Sequence, residues 1–158
     1  MRVLCVCLGN ICRSPTAEGV LRDIAAREAP QLITTVDSAG TAGYHVGEPP
    51  DPRSVAIARE RGYELSALRA RQVSRSDFEQ FDLMLAMDRA NLAALRALAP
   101  ARSPARLALF LHYAGVGAGD EVPDPYYGER GDFERVLDLV EQGSRALLAH
   151  LSEQARHR

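Results

Sequence analysis

The segment Cys7-Leu8-Gly9-Asn10-Ile11-Cys12-Arg13-Ser14 sets a cysteine, an arginine and a serine in the spacing C-x5-R-S. Each residue type has a use in phosphate chemistry. A strand-loop-helix corner points successive backbone N–H groups into one concavity at the positive end of a helix dipole, a natural seat for a tetrahedral dianion. The same field favours thiolate over thiol, so a cysteine at its centre becomes a nucleophile able to attack phosphorus. Arg13 offers a planar fork that matches two phosphate oxygens and the spread charge of a loose phosphoryl-transfer transition state. Ser14 can donate a hydrogen bond to the Cys7 sulfur, both as thiolate and as leaving group. Gly9 and Asn10 are the residues that best accept a positive φ in a tight loop.

A bare C-x5-R fixes only two positions and arises by chance as a buried strand-end cysteine near a surface arginine. The surrounding elements separate the two cases. Val3-Leu4-Cys5-Val6-Cys7-Leu8 is a continuous apolar run, expected of a strand buried on both faces. Ser14-Pro15 reads as a helix start, with a hydroxyl at the cap and proline at the first helical position. Ala17, Val20, Leu21 and Ile24 trace the apolar face of that helix. A nucleotide P-loop is excluded because the Gly-Lys-Ser/Thr ending is missing.

Further along, residues 33–38 read as a second strand closed by Ala39-Gly40, followed by a Gly- and Pro-rich surface loop to Pro50. Asp51-Pro52 opens a short helix that stops before Gly62, and Ser76-Asp77-Phe78-Glu79 fits a capping box. Residues 82–87 form a third strand, Asp88 caps a helix ended by Pro100, and residues 107–111 form a fourth strand. After a loop over 114–130, Phe133, Val136, Leu137, Val140, Leu147 and Leu151 mark a long amphipathic helix. Four short apolar strands interleaved with helices predict an α/β fold, a doubly wound four-stranded parallel sheet with helices on both faces. In such sheets ligands bind at the carboxyl ends of the strands, where Cys7 lies.

At 158 residues, with no repeat or linker, the chain suits one domain over residues 1–158, its polar end at 152–158 frayed. Apolar residues at 46% and charged residues at 25% argue against disordered, collagen-like or membrane classes. A formal net charge of −2 gives no reason to expect nucleic acid or a membrane surface as partner, although all 19 basic residues are arginine. The first apolar run is too short for a signal peptide, so the cytoplasm is the expected compartment. Cys5, Cys7 and Cys12 cluster, and none follows them. That is a poor disulfide framework and suits chemistry in a reducing compartment. His45, His112, His150 and His157 have no C-x-x-C beside them, so neither metal nor other cofactor is expected.

The loop and its flanks, Val6 to Pro15, resemble the signature of the low-molecular-weight protein tyrosine phosphatases. The resemblance continues through Asp37-Ser38-Ala39-Gly40-Thr41, Tyr44-His45-Val46-Gly47, Pro50-Asp51-Pro52-Arg53, Ala70-Arg71-Gln72, Met87-Asp88 and Asp124-Pro125-Tyr126-Tyr127-Gly128. It implies hydrolysis of phosphotyrosine and aryl phosphates through a cysteinyl phosphate. In that scheme Cys7 is nucleophile, Arg13 phosphate clamp and Asp124 general acid, with the loop from Leu8 to Ser14 around the phosphate. Without the resemblance, the Pro-Asp-Pro around Asp124 would read as a surface turn. Tyr44, Tyr126 and Tyr127 match rim aromatics that favour phosphotyrosine over a shorter phosphoester. Ile11 walls the pocket where relatives acting on phosphoarginine tend to carry threonine. Ser38 and Asp88 match residues that orient Asn10 and Arg13, and His45 orders its loop. Cys12 is either a trap for oxidised Cys7 as a reversible disulfide or a small buried loop residue.

The resemblance implies a phosphotyrosine protein as substrate and inorganic phosphate as product or competing ligand; a monomer is the default expectation, with the oligomeric state left open. An arginine phosphatase or arsenate reductase on the same fold, or a non-catalytic phosphate-binding module, are the alternatives. Arsenate reduction wants a relay of later cysteines that this chain lacks. One position departs from the pattern: many relatives place a buttressing histidine where Leu68 stands, which predicts a less rigid loop with retained activity.

Overall fold

In the computed structural model, which describes residues 1–117 and 119–157, four strands form one parallel sheet: β1 (Arg2–Cys7), β2 (Thr35–Gly40), β3 (Leu83–Ala86) and β4 (Arg106–Leu109). Their spatial order is β2-β1-β3-β4. The chain runs from β1 outward to β2, then crosses back past β1 to β3. The crevice beyond the carboxyl ends of β1 and β3 is therefore the switch point where such sheets bind ligands. Cys7 ends β1 there, and Asp88 follows β3 there.

Among the described residues six helices cover the sheet: α1 (Arg13–Glu28), α2 (Pro52–Glu60), α3 (Asp77–Gln80), α4 (Arg89–Leu98), α5 (Phe110–Ala114) and α6 (Arg130–Arg156). Alternation along the central strands sends side chains to two cores. Val3, Cys5, Leu83 and Leu85 pack with apolar residues of α1, α2, α5 and α6. Leu4, Val6, Met84 and Ala86 pack with Phe78 of α3 and with Leu92 and Leu95 of α4. Both central strands are buried on both faces, which accounts for their unbroken apolar sequences. Each fully buried Leu on them contributes about 1.5–3 kcal/mol by leaving water.

Several local expectations give way. Helix α1 begins at Arg13, with Cys12 at its N-cap and no side-chain cap bond. The Ser14 hydroxyl is therefore not a cap; it turns inward toward Cys7. The Ser76 side chain makes no cap bond to α3, because Asp77 instead accepts from the Ser74 backbone N–H and pairs with Arg71. The fourth strand ends at Leu109, and Phe110 and Leu111 belong to α5, ended by left-handed Gly115 (φ 83°). An apolar run cannot by itself distinguish a buried strand from a buried helical turn. Helix α6 continues to Arg156, so residues 152–156 are helical rather than frayed, and Arg158 lies outside the described residues. Asp51 and Asp88 do cap α2 and α4, accepting from the N–H of Arg53 and Asn91 at 2.9 Å and 2.7 Å.

Candidate active site

Cys7, Leu8, Gly9, Ile11, Cys12, Arg13, Tyr44, His45, Asp124, Tyr126 and Tyr127 line one cavity of about 260 Å³. Three separate stretches of chain supply them, residues 7–13, 44–45 and 124–127, which is why no single motif announces the cavity. Asn10 and Ser14 belong to the same loop but lie buried behind it.

The loop between β1 and α1 takes its shape from Asn10, whose φ is +57°. Positive φ was expected of Gly9 as well, yet Gly9 is not among the positive-φ residues. Its lack of a side chain matters for space: a Cβ there would sit 3.0 Å from Cδ2 of His45. The strained Asn10 is tied on every polar atom. Its Oδ1 accepts from the Arg71 backbone N–H at 2.9 Å, and its Nδ2 donates to Ser14 Oγ at 2.8 Å and Ser38 Oγ at 2.9 Å. Ser14 Oγ lies 2.9 Å from Cys7 Sγ. Since it already accepts from Asn10, its proton is free for the sulfur.

Arg13 is 3% exposed and held from behind. Nη1 donates to Asp88 Oδ2 at 2.6 Å and to the Val122 carbonyl at 3.1 Å, which uses both its protons. Among the described residues the Nε–H and Nη2–H edge has no hydrogen bond, and its nearest anion is Asp124 Oδ2 at 3.7 Å from Nη2. Burial opposes the guanidinium charge, but Cys7, Asp88 and Asp124 outweigh it and hold the Arg13 pKa above its ordinary value.

Asp124 stands at the mouth with its side chain about half exposed, 48%. Its Oδ1 accepts from the Tyr126 N–H at 3.1 Å, an Asx turn that the flanking prolines stiffen. The preceding Val122 is fully buried, and its N–H donates to the Met87 carbonyl at 2.8 Å. The acid's segment is thus fastened to the end of β3. Tyr126 and Tyr127 meet edge to face with centroids 4.9 Å apart, and Tyr44 and Tyr127 are strongly exposed at the rim. Cys5, Cys7 and Cys12 are all free thiols. Burial, then Asp51, pushes the Cys12 thiol up to about 12, so it stays neutral.

Three tying residues escaped the sequence reading. Arg53 grips Asp51 through two nitrogens, donates to the Tyr126 carbonyl at 3.0 Å and lies 4.4 Å over the Phe133 ring, fixing the tyrosine segment against α6. Arg71 bridges Asp37 and Asp77 while its N–H holds Asn10. Glu18 is a buried carboxylate that accepts from Ser38 Oγ at 2.6 Å. A charge beside the apolar stripe of a helix was its only sequence signal. His45, expected only to order its loop, also lines the cavity and pairs with Glu48. Leu68 is half-buried against the core. Its side chain has no polar atom to bond the loop, and the Arg71 backbone and Glu18 hold Asn10 and Ser38 instead.

Comparison with known proteins agrees with this geometry. A family model described as low molecular weight phosphotyrosine protein phosphatase matches residues 2–157. The chain is 46% identical over 160 residues to the low molecular weight protein-tyrosine-phosphatase of Streptomyces coelicolor, covering 99% of this chain and 97% of that one. It is 41% identical over 152 residues to the low molecular weight protein-tyrosine-phosphatase YfkJ of Bacillus subtilis, with 96% of each covered. A solved protein tyrosine phosphatase of Entamoeba histolytica with Hepes in its active site superposes with a TM-score of 0.89 at 37% identity, covering 98% of this chain and 99% of that one. The chain therefore belongs to the low molecular weight phosphotyrosine protein phosphatase family.

Proposed function

We propose that this chain is a single catalytic domain that hydrolyses phosphotyrosine in proteins, without metal or cofactor, through a phosphate ester of Cys7. One arrangement carries the reading: a sulfur bonded by a serine proton, an arginine with an unused two-pronged edge, and a carboxyl group at the mouth share one cavity. The Cys7 thiolate attacks phosphorus as the bond to the phenol oxygen breaks. Asp124, protonated, delivers its proton to the departing phenolate. Arg13 spans two equatorial oxygens of the transferring group, and the loop amides take the remainder of its charge. In the second half Asp124, now a carboxylate, draws a proton from water as the water oxygen attacks phosphorus. Cys7 leaves as thiolate, stabilised by Ser14, and inorganic phosphate is released; free phosphate competes for the same cradle.

The depth provided by Ile11, Tyr44, Tyr126 and Tyr127 supports an aromatic phosphomonoester as substrate. Three clustered free thiols support work in the cytoplasm, and a monomer suffices because every group named comes from one chain. No helix among the described residues is long and apolar enough to cross a membrane.

The test is steady-state hydrolysis of phenyl phosphate and a phosphotyrosine peptide by the purified chain in the presence of a chelator. Cys7→Ser should lose turnover entirely. Asp124→Asn should slow phenyl phosphate by about 10²–10⁴-fold and slow an ester with a much better leaving group far less. Wild-type turnover by Cys7→Ser would end the proposal.

A further inference from the structure

The hydrogen-bond path behind the nucleophile runs beyond Ser38. Its hydroxyl donates to Glu18 Oε1 at 2.6 Å, and both residues are almost fully buried, Ser38 at 4% and Glu18 at 3% exposure. The other oxygen, Oε2, is held by Arg22, which also donates to the Val36 carbonyl of β2. Simple rules of donors and acceptors then orient every proton along the path. An ionised carboxylate accepts only, so the single Ser38 proton goes to Glu18 and its oxygen is left to accept. Asn10 Nδ2 supplies what Ser38 accepts and gives its second proton to Ser14, while the Arg71 N–H occupies Oδ1. Ser14 accepts from Asn10, and a Cys7 thiolate has no proton to give, so the Ser14 proton falls on Sγ.

The path is pinned at two ends, by a backbone N–H that can only donate and by a carboxylate that can only accept. Leu68 has no polar side-chain atom to serve as a third pin. We propose that Glu18, held by Arg22, is a positioning residue for Cys7: it fixes the Ser38 oxygen where Asn10 donates to it, and so holds the Asn10 amide and the Ser14 hydroxyl it contacts against the sulfur. This rests on Cys7 being the nucleophile.

The proposal has an unusual sign. As a bare negative charge, Glu18 opposes a nearby thiolate. As the terminal acceptor of the path, it favours one. The two roles are separated by the rate at which iodoacetamide alkylates Cys7 at about pH 6, with the site read by mass spectrometry. Alkylation needs no turnover, so an inactive parent would overturn the phosphatase reading and leave this one standing. Glu18→Gln keeps a carbonyl for the Ser38 proton and should alkylate within about twofold of the parent. Glu18→Ala should alkylate about three- to tenfold more slowly and lose kcat by a similar factor with KM nearly constant. Ser38→Ala should show the same loss, and the double variant no further loss, since both cut one path. Should Glu18→Ala not fold, Ser38→Ala alone decides, an unchanged rate there being fatal. Parent-like alkylation in Glu18→Ala, or faster alkylation in both Glu18 variants, would overturn the proposal.

Discussion

Replacing Arg13 by lysine preserves a positive charge while removing the fork, and the structure allows the loss to be sized. Nη1 spends its two protons on Asp88 at 2.6 Å and Val122 at 3.1 Å, which leaves Nε–H and Nη2–H as a parallel pair for two phosphate oxygens. A lysine has three protons on one atom. If that atom stays with Asp88 and Val122, it offers phosphate nothing aligned. If it turns to phosphate, a partly buried carboxylate and a buried carbonyl lose their partner. Two charge-assisted bonds to the transferring group are lost either way, each worth about 1.5–3 kcal/mol. Their sum, about 3–6 kcal/mol, corresponds to roughly a hundred- to ten-thousandfold in kcat/KM at about 1.36 kcal/mol per decade. The assay is hydrolysis of an aryl phosphate, with thermal unfolding run beside it to show that the variant is folded. A folded Arg13→Lys within tenfold of the parent would refute the argument that the planar edge, rather than the charge, stabilises the transition state.

Two further outcomes follow from packing and from burial. At Gly40 an added Cβ would lie 2.7 Å from the Leu8 carbonyl oxygen, 3.0 Å from that of Ala42 and 3.2 Å from the carbonyl carbon of Gly9. All three are backbone atoms, so Gly40→Ala must move β2 or the phosphate loop. It should cost about 1–3 kcal/mol in urea unfolding together with a fall in kcat, and an unchanged midpoint would contradict it. For Glu18, burial raises the carboxyl pKa against the lowering effects of Ser38 and Arg22. The native state therefore takes up this proton before the unfolded chain does. Its stability declines as pH rises from the ordinary glutamate value, about 4.3, through the raised one. Glu18→Gln is neutral throughout, so the stability advantage of the parent over the variant should shrink as pH rises above the ordinary glutamate value of about 4.3 in calorimetric unfolding. A constant or widening gap would contradict the raised carboxyl.

The sheet was legible because its central strands are apolar without interruption, and because Asp51 and Asp88 stand where helix caps must stand. The loop between β1 and α1 was legible as a turn because its residues are contiguous. Its wiring was not. Ser14 looks like a cap in sequence, since a hydroxyl before proline usually is one, but the buried sulfur and amide nearby compete for it and win. Phe110 and Leu111 look like strand because fully buried helix and strand share one apolar pattern. Glu18, Arg53 and Arg71 act over sequence separations of 20, 73 and 61 residues, to Ser38, Tyr126 and Asn10 respectively. No periodicity or local spacing encodes such pairings, which only the folded topology creates.

The anchoring of Val122 has an architectural consequence. Its N–H is spliced to Met87 and its carbonyl to Arg13, so the aspartate two residues on inherits its place from the sheet rather than from the loop that leads to it. A change in the chain ahead of Val122 therefore leaves the Asp124 carboxyl group in place as long as these two bonds are kept.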